Sequence, residues 1–214
     1  MKPRRYDTVD ELLIAVDQAI GTVFGRPRAS GRPDPAQNAD EGRLDEAQRR
    51  LSARLMRVNH TGEICAQALY QGQAQTASLG AVRDRLEQAA LEENDHLRWC
   101  ETRLGELGTH TSVLNPLFYA GSRCIGAFAG KVGDGWSLGF VAETEQQVVQ
   151  HLSDHLNRLP PADHKSRAIL AQMQTDEGRH ATTALEAGGE ALPLPVKLLM
   201  RVSAKLMTGT TYWV

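Results

Sequence analysis

Six side chains of types that bind metals recur through the 214-residue chain in two matched sets. The first is Glu63 followed by Glu93-Asn94-Asp95-His96; the second is Glu145 followed by Glu177-Gly178-Arg179-His180. The two glutamates are 30 residues apart in the first set and 32 in the second. On a helix, residues three apart share a face, so Glu93 and His96 point the same way, as do Glu177 and His180. Each pair offers one metal an imidazole nitrogen and a carboxylate that can bridge to a second metal. Four glutamates and two histidines in this order are the ligand set with which helical bundles hold two metal ions. Hard carboxylate oxygens, two imidazoles and no thiolate suit iron or manganese better than zinc or copper. Two irons bridged by carboxylates can share the electrons needed to reduce O2. The competing reading is a set of charged, solvated helix faces.

The elements that must position these residues follow from symmetry about two turns. Glu63 and Glu93 are equidistant from Ser78, in the weak-helix stretch Ser78-Leu79-Gly80, and Glu145 and Glu177 from Pro161, in the pair Pro160-Pro161. If each pair straddles an antiparallel hairpin, two packed hairpins bring all six side chains to one level of a four-helix bundle. The sequence predicts these helices over about 44–78, 81–107, 136–159 and 163–187, with Gly108 and Gly188-Gly189 as stops. The surroundings point to burial. Glu145 has Val141, Ala142, Val148 and Val149 at helical spacing, whereas its rival Glu143 has Gly139, Gln146 and Gln147. Ala89, Ala90 and Leu97 flank Glu93, and Met173 and Ala181 flank Glu177. A glutamate on such a stripe is costly to bury unless something compensates its charge. His60, on the face of Glu63, is a candidate extra ligand, though such a histidine is more often a satisfied polar neighbour. Glu92 and Asp176 each precede a candidate ligand and could hydrogen-bond a histidine of the opposite hairpin, or simply be solvated.

The rest of the chain divides around this bundle. Residues 1–43 read as a short helix, opened by a capping box at Thr8-Val9-Asp10-Glu11 and carrying Leu12, Leu13, Val16, Ile20 and Val23, then a mobile Gly/Pro-rich linker from Gly25 to Arg43. Residues 44–190 are the bundle, and 191–214 an amphipathic tail. The fold class is all-α, a four-helix bundle of the ferritin-like kind, since a long crossover over 109–135 must join its hairpins. That crossover is apolar, with Leu114, Leu117, Phe118, Tyr119, Ile125 and Phe128. In the tail, Lys197, Arg201 and Lys205 form a basic stripe beside Leu198, Leu199, Val202 and Leu206, with Tyr212-Trp213 following. This pattern suits a helix lying in a membrane interface, or one packed on the bundle or another subunit.

Composition sets the outer bounds. A net charge of −2 and pI near 6.4 give no reason to expect nucleic acid as a partner. Three cysteines, Cys65, Cys100 and Cys124, without C-x-x-C spacing argue for a reducing compartment, and read as small buried residues. The start Met1-Lys2-Pro3-Arg4-Arg5-Tyr6 is basic but lacks the apolar run of a signal peptide. No stretch reaches the roughly 20 apolar residues of a membrane span.

Spacing alone leaves a hydroxylase, a ferroxidase or iron store, a manganese catalase and a radical-generating subunit open, beside a non-catalytic binding or scaffold protein. Several strings narrow this: Arg57-Val58-Asn59-His60-Thr61-Gly62-Glu63 with Ala68-Leu69-Tyr70, Glu93-Asn94-Asp95-His96-Leu97, Ser112-Val113-Leu114-Asn115-Pro116, and Asp176-Glu177-Gly178-Arg179-His180-Ala181. From about Leu51 to the C-terminus the chain resembles the bacterial demethoxyubiquinone hydroxylases (3-demethoxyubiquinol 3-hydroxylases) of ubiquinone biosynthesis. The resemblance implies two Fe ions per chain. Glu63 and His96 would bind the first and Glu145 and His180 the second, with Glu93 and Glu177 bridging. It implies O2-dependent hydroxylation of the ring of a polyprenyl methoxy-methyl-benzoquinol, at the penultimate step of the pathway. It implies NADH or another reductant as electron source; no Gly-rich dinucleotide motif is present, so a nicotinamide would bind transiently. It further implies a peripheral protein on the cytoplasmic side of the inner membrane, with lipid and other proteins of the pathway as partners.

Overall fold

The computed structural model describes residues 7–25 and 30–214. The basic string at 1–6 and part of the linker, 26–29, lie outside the described residues. Within them the fold is all-α, with seven helices and no strand.

Four long helices form the bundle: α2 (Glu46–Thr76), α3 (Gly80–Glu106), α5 (Asp134–Arg158) and α6 (His164–Glu186). Their ends fall within two residues of the expected ones, the usual uncertainty of a helix terminus. Asp45 caps α2 reciprocally with Gln48, and the Asp163 carboxylate accepts from the backbone N–H of Ser166 at the start of α6. The turns between α2 and α3 and between α5 and α6 contain Ser78 and Pro161, the two centres of symmetry in the sequence. Two apolar layers sandwich the level of the six candidate ligands. One, toward the start of α2, contains Leu55, Met56, Trp99, Leu104, Leu152, Leu170 and Met173. The other contains Ala74, Val82, Leu86, Leu138, Val141 and Ala184. The result is a ferritin-like bundle with a polar layer inside an apolar core.

The crossover differs from a plain connection. It is itself a helix, α4 (Asn115–Val132), with Pro116 in its first turn. α4 lies against α2 at glycine distance: a Cβ on Gly126 would stand 2.3 Å from the carbonyl oxygen of Leu69. A φ of 145° at Gly133 then lets the chain turn directly into α5.

The two ends also depart from the sequence reading. Helix α1 (Thr8–Val23) is capped by Asp7, not Thr8, because the Asp7 carboxylate accepts from Val9 and Asp10 while Asp10 reaches back to the Asp7 N–H. Its Leu12, Leu13, Val16 and Ile20 stay exposed, and only Ala19 and Val23 pack on Ile64, Ala68, Leu97 and Tyr119. Residues 30–43, read as linker, carry no helix but lie along the bundle. Ala36 enters the main core, and Glu41 pairs with the buried Arg103 at 2.9 Å. The tail forms α7 (Leu194–Thr211), whose Val196 and Met200 pack, with Trp136, on the cluster of Ala129, Phe140 and Leu192.

Candidate metal centre

All six candidate ligands are buried, and Glu93 and His96 are wholly enclosed. His96 Nδ1 lies 3.0 Å from Glu93 Oε2, 3.1 Å from Glu177 Oε1 and 3.5 Å from Glu63 Oε2. His180 Nδ1 lies 3.1 Å from Glu177 Oε2 and 3.3 Å from Glu93 Oε1. Glu93 and Glu177 thus each turn one oxygen to one histidine and the other oxygen to the other. Donor atoms of Glu63, Glu93, His96 and Glu177 all fall within 4.8 Å of one another. Glu145 enters from the His180 side, where the Tyr70 hydroxyl donates to its Oε1.

The outer nitrogens are held as symmetrically as the inner ones. His96 Nε2–H donates to Asp176 Oδ2 at 3.0 Å, from α3 to α6. His180 Nε2–H donates to Glu92 Oε2 at 3.0 Å, from α6 to α3. Each carboxylate holds the Nε2–H outward, so that Nδ1 faces the centre, where it can give up its proton and present a lone pair to a cation.

Electrostatics set the chemistry of this layer. Burial, with Glu93 and Glu177 adding like charge, pushes Glu63 well above the usual carboxylate range, and burial with the same two neighbours does so for Glu145. Burial alone would also raise Glu93, but His96 and His180 pull it well below. Burial opposes charge on the histidines, yet the carboxylates overcome it: Glu93 and Asp176 lead in raising His96, and Glu177 and Glu93 push His180 up to about 12. Four carboxylates around two imidazoles therefore demand compensating positive charge at their centre. Glu93 Oε1 and Glu177 Oε1, the oxygens aimed across the centre, are buried with no hydrogen bond of good geometry. Inward-facing oxygens whose only neighbours of opposite charge are the two imidazoles, in a hard oxygen and nitrogen donor set, fit divalent iron or manganese.

The neighbours that sequence left ambiguous are now separable. Glu143 is buried but faces away, taking a bond from Gln147 and pairing with Lys197 at 2.6 Å. His60 bonds Asn115 Nδ2 at 3.4 Å outside the cluster, and burial lowers its pKa to about 4, so it is a satisfied neighbour. Cys100 is buried beside Met173, Cys65 is half-buried and Cys124 is exposed. Sequence reasoning missed Tyr70, although it stands seven residues, two helical turns, from Glu63. It also missed Ser30, Arg32 and Asp95. Arg32 Nε bonds Asp95 at 3.0 Å and its Nη1 bonds Asp176 at 2.8 Å. No periodicity marks residues 30–32, and Asp95 sits between two candidate ligands where an acid reads as solvated.

The family of ubiquinone biosynthesis protein COQ7 matches residues 50–211. A 3-demethoxyubiquinol 3-hydroxylase of Nitrosococcus oceani is 57% identical over 214 residues, all of both chains. One of Nitrosospira multiformis is 56% identical over 96% of this chain and 99% of its own, and one of Stutzerimonas stutzeri 56% identical over 98% and 97%. With the matched region taking in nearly all of the bundle and both halves of the ligand layer, this chain belongs to the COQ7 family of ubiquinone biosynthesis proteins.

Proposed function

We propose that the chain is a diiron, O2-dependent 3-demethoxyubiquinol 3-hydroxylase acting on the ring of a polyprenyl methoxy-methyl-benzoquinol. The observation that carries this reading is the division of Glu93 and Glu177 between His96 and His180, in a chain 57% identical over its full length to a relative of that name. Glu63 and His96 would hold one iron, Glu145 and His180 the other, and Glu93 and Glu177 would span both. Bound iron would supply the electrons that reduce O2 beside the substrate ring.

The protein's own part is positional. Asp176 and Glu92 keep both Nε2 atoms protonated, so that Nδ1 faces the centre. Tyr70 holds Glu145 in one orientation. The apolar layers on either side exclude water, so electrons are spent on the ring and not leaked to solvent. In the balanced reaction a ring C–H becomes C–OH with one oxygen atom of O2. The second oxygen leaves as water, taking two electrons and two protons from the reductant. NADH is the reductant we favour, acting transiently.

A long prenyl chain keeps such a quinol in the bilayer, so the enzyme must come to it. No helix among the described residues is long and apolar enough to cross a membrane. Outward-facing Leu117 and Phe128 on α4, and Leu198, Leu199, Val202 and Leu206 on α7, instead support peripheral attachment. We place the protein on the cytoplasmic side of the inner membrane. Anaerobic reconstitution with Fe(II) followed by incubation with a demethoxyquinol analogue and O2 tests the function. Two irons per chain and a hydroxylated ring are expected. Iron mineral without organic product would indicate a ferroxidase instead.

A further inference from the structure

Arg32 reaches the centre from outside the bundle and outside the matched family region. Its guanidinium binds two carboxylates from different hairpins, Asp95 on α3 at 3.0 Å and Asp176 on α6 at 2.8 Å. It also lies over the Trp99 ring, 5.0 Å from the centroid. Ser30, two residues earlier, donates its hydroxyl to the same Asp95 oxygen. Asp95 is wholly enclosed, and its other oxygen, Oδ1, has no hydrogen-bond partner. The Asp176 oxygen that takes Arg32 also takes His96 Nε2–H.

We propose that Arg32 is a positioning residue of the metal centre, in which the arm locks the Asp176 carboxylate that orients His96. The inference rests on the metal reading above and adds a residue to it. A planar guanidinium is suited to this task because it can bond two carboxylates in fixed directions at once, which a lysine ammonium on a flexible stem cannot. Its burial against Trp99 restricts its freedom further. Among the described residues, no group of the arm reaches the opposite half of the centre. Glu92, which orients His180, takes its cationic partner from Arg179, a residue more than half exposed whose guanidinium also bonds Asp176 Oδ1 at 3.1 Å. Asp176, behind His96, is therefore held by two guanidiniums, Arg32 and Arg179, and Glu92, behind His180, by Arg179 alone.

The test is a stepwise anaerobic titration with Co(II), followed by its visible ligand-field absorption, on the full chain. Wild type should take up two ions in distinguishable steps. Arg32→Gln should weaken the step at His96 by 10-fold or more and alter its absorption, leaving the other step in place. Arg32→Lys should recover only part of the loss. Arg179→Gln, which removes contacts to both Glu92 and Asp176, should weaken both steps, and the His96 step by less than Arg32→Gln does. Because Arg32→Gln strands a buried carboxylate, it could lose stability for that reason alone. The double variant Arg32→Gln/Asp95→Asn removes that charge and should still show the weakened His96 step, with helical circular dichroism unchanged. If both Arg32→Gln and the double variant titrate with wild-type steps and spectrum, the positioning role is overturned while the metal site stands. If wild type itself binds no Co(II), the metal reading fails and the positioning role with it.

Discussion

Glu93 and Glu177 occupy equivalent places in the two halves of the bundle, each dividing its two oxygens between His96 Nδ1 and His180 Nδ1 at 3.0 to 3.3 Å. This is the arrangement that a carboxylate shared between two cations would need. The near-repeat in sequence has become a near-two-fold in space, with Asp176 and Glu92 exchanging partners across it.

The first expectation concerns which third-helix glutamate matters. Glu145→Gln should lower metal affinity, whereas Glu143→Gln should leave it unchanged and loosen only the contact with Lys197. Asp176→Asn and Glu92→Gln should each weaken metal binding by roughly 10- to 100-fold, the usual cost of losing a histidine's outer partner. Metal titrations of the four variants decide the matter. Equal loss in Glu143→Gln and Glu145→Gln would mean that the helix register has been misassigned.

Most of this centre could be read from the sequence because ligand spacing and turn position are local properties. The pairs Glu93/His96 and Glu177/His180 follow from helical geometry, and the symmetry about Ser78 and Pro161 supplies the level. Neighbour hydrophobicity separated Glu145, buried against Tyr70, from Glu143, which turns to Lys197, since a charge among valines needs compensation. What could not be read depends on tertiary contact without periodicity. Arg32 and Ser30 sit in an irregular segment whose Gly and Pro content reads as linker, yet hydrogen bonds to enclosed aspartates pin it. The helical nature of α4 was masked by its glycines. They weaken a helix in isolation, but here they allow close packing on α2. The Lys197, Arg201, Lys205 stripe was read as uniformly outward, but Lys197 turns in to Glu143.

Stability should fall in mild acid because of histidines away from the centre. Burial, with the neighbouring His151 and Arg158, depresses His155 to about 2, and burial likewise holds His151 at about 4. His155 Nδ1 is 3.0 Å from Asn59 Oδ1, and the His151 and His155 rings lie tilted against each other with centroids 3.8 Å apart. Both are neutral in the fold, whereas the unfolded chain takes up a proton near pH 6.5. Their contribution is complete above that pH and is lost as pH falls toward 4 for His151 and toward 2 for His155. Each costs about 1.4 kcal/mol per pH unit in that window, so His155→Gln should reduce the loss between pH 6.5 and 5 by about 2 kcal/mol. Denaturant titrations at the two pH values measure this, and an unchanged slope would refute it.

Membrane attachment should depend on the part of the tail that is free to meet lipid. Since Lys197 is engaged with Glu143, the electrostatic share falls to the exposed Arg201 and Lys205. Replacing both by Glu should weaken binding to anionic liposomes at low salt, at about 1 kcal/mol per basic residue removed, and leave metal content unchanged. Leu199→Ser/Leu206→Ser should weaken binding at every salt concentration, because apolar insertion is not screened. Flotation that is identical for all three proteins would assign α7 to packing against protein.

The most direct test of the central claim is the origin of the new oxygen atom. Protein loaded anaerobically with Fe(II) and reduced would be mixed with a demethoxyquinol analogue under 18O2, and the product analysed by mass spectrometry. One 18O atom should appear in the ring hydroxyl of the product formed by wild type. Glu93→Ala and Glu177→Ala, each lacking a carboxylate between the two histidines, should yield less product by on the order of 100-fold or more. Incorporation of oxygen from water, or undiminished product from either alanine variant, would contradict a hydroxylase built on this carboxylate-bridged centre.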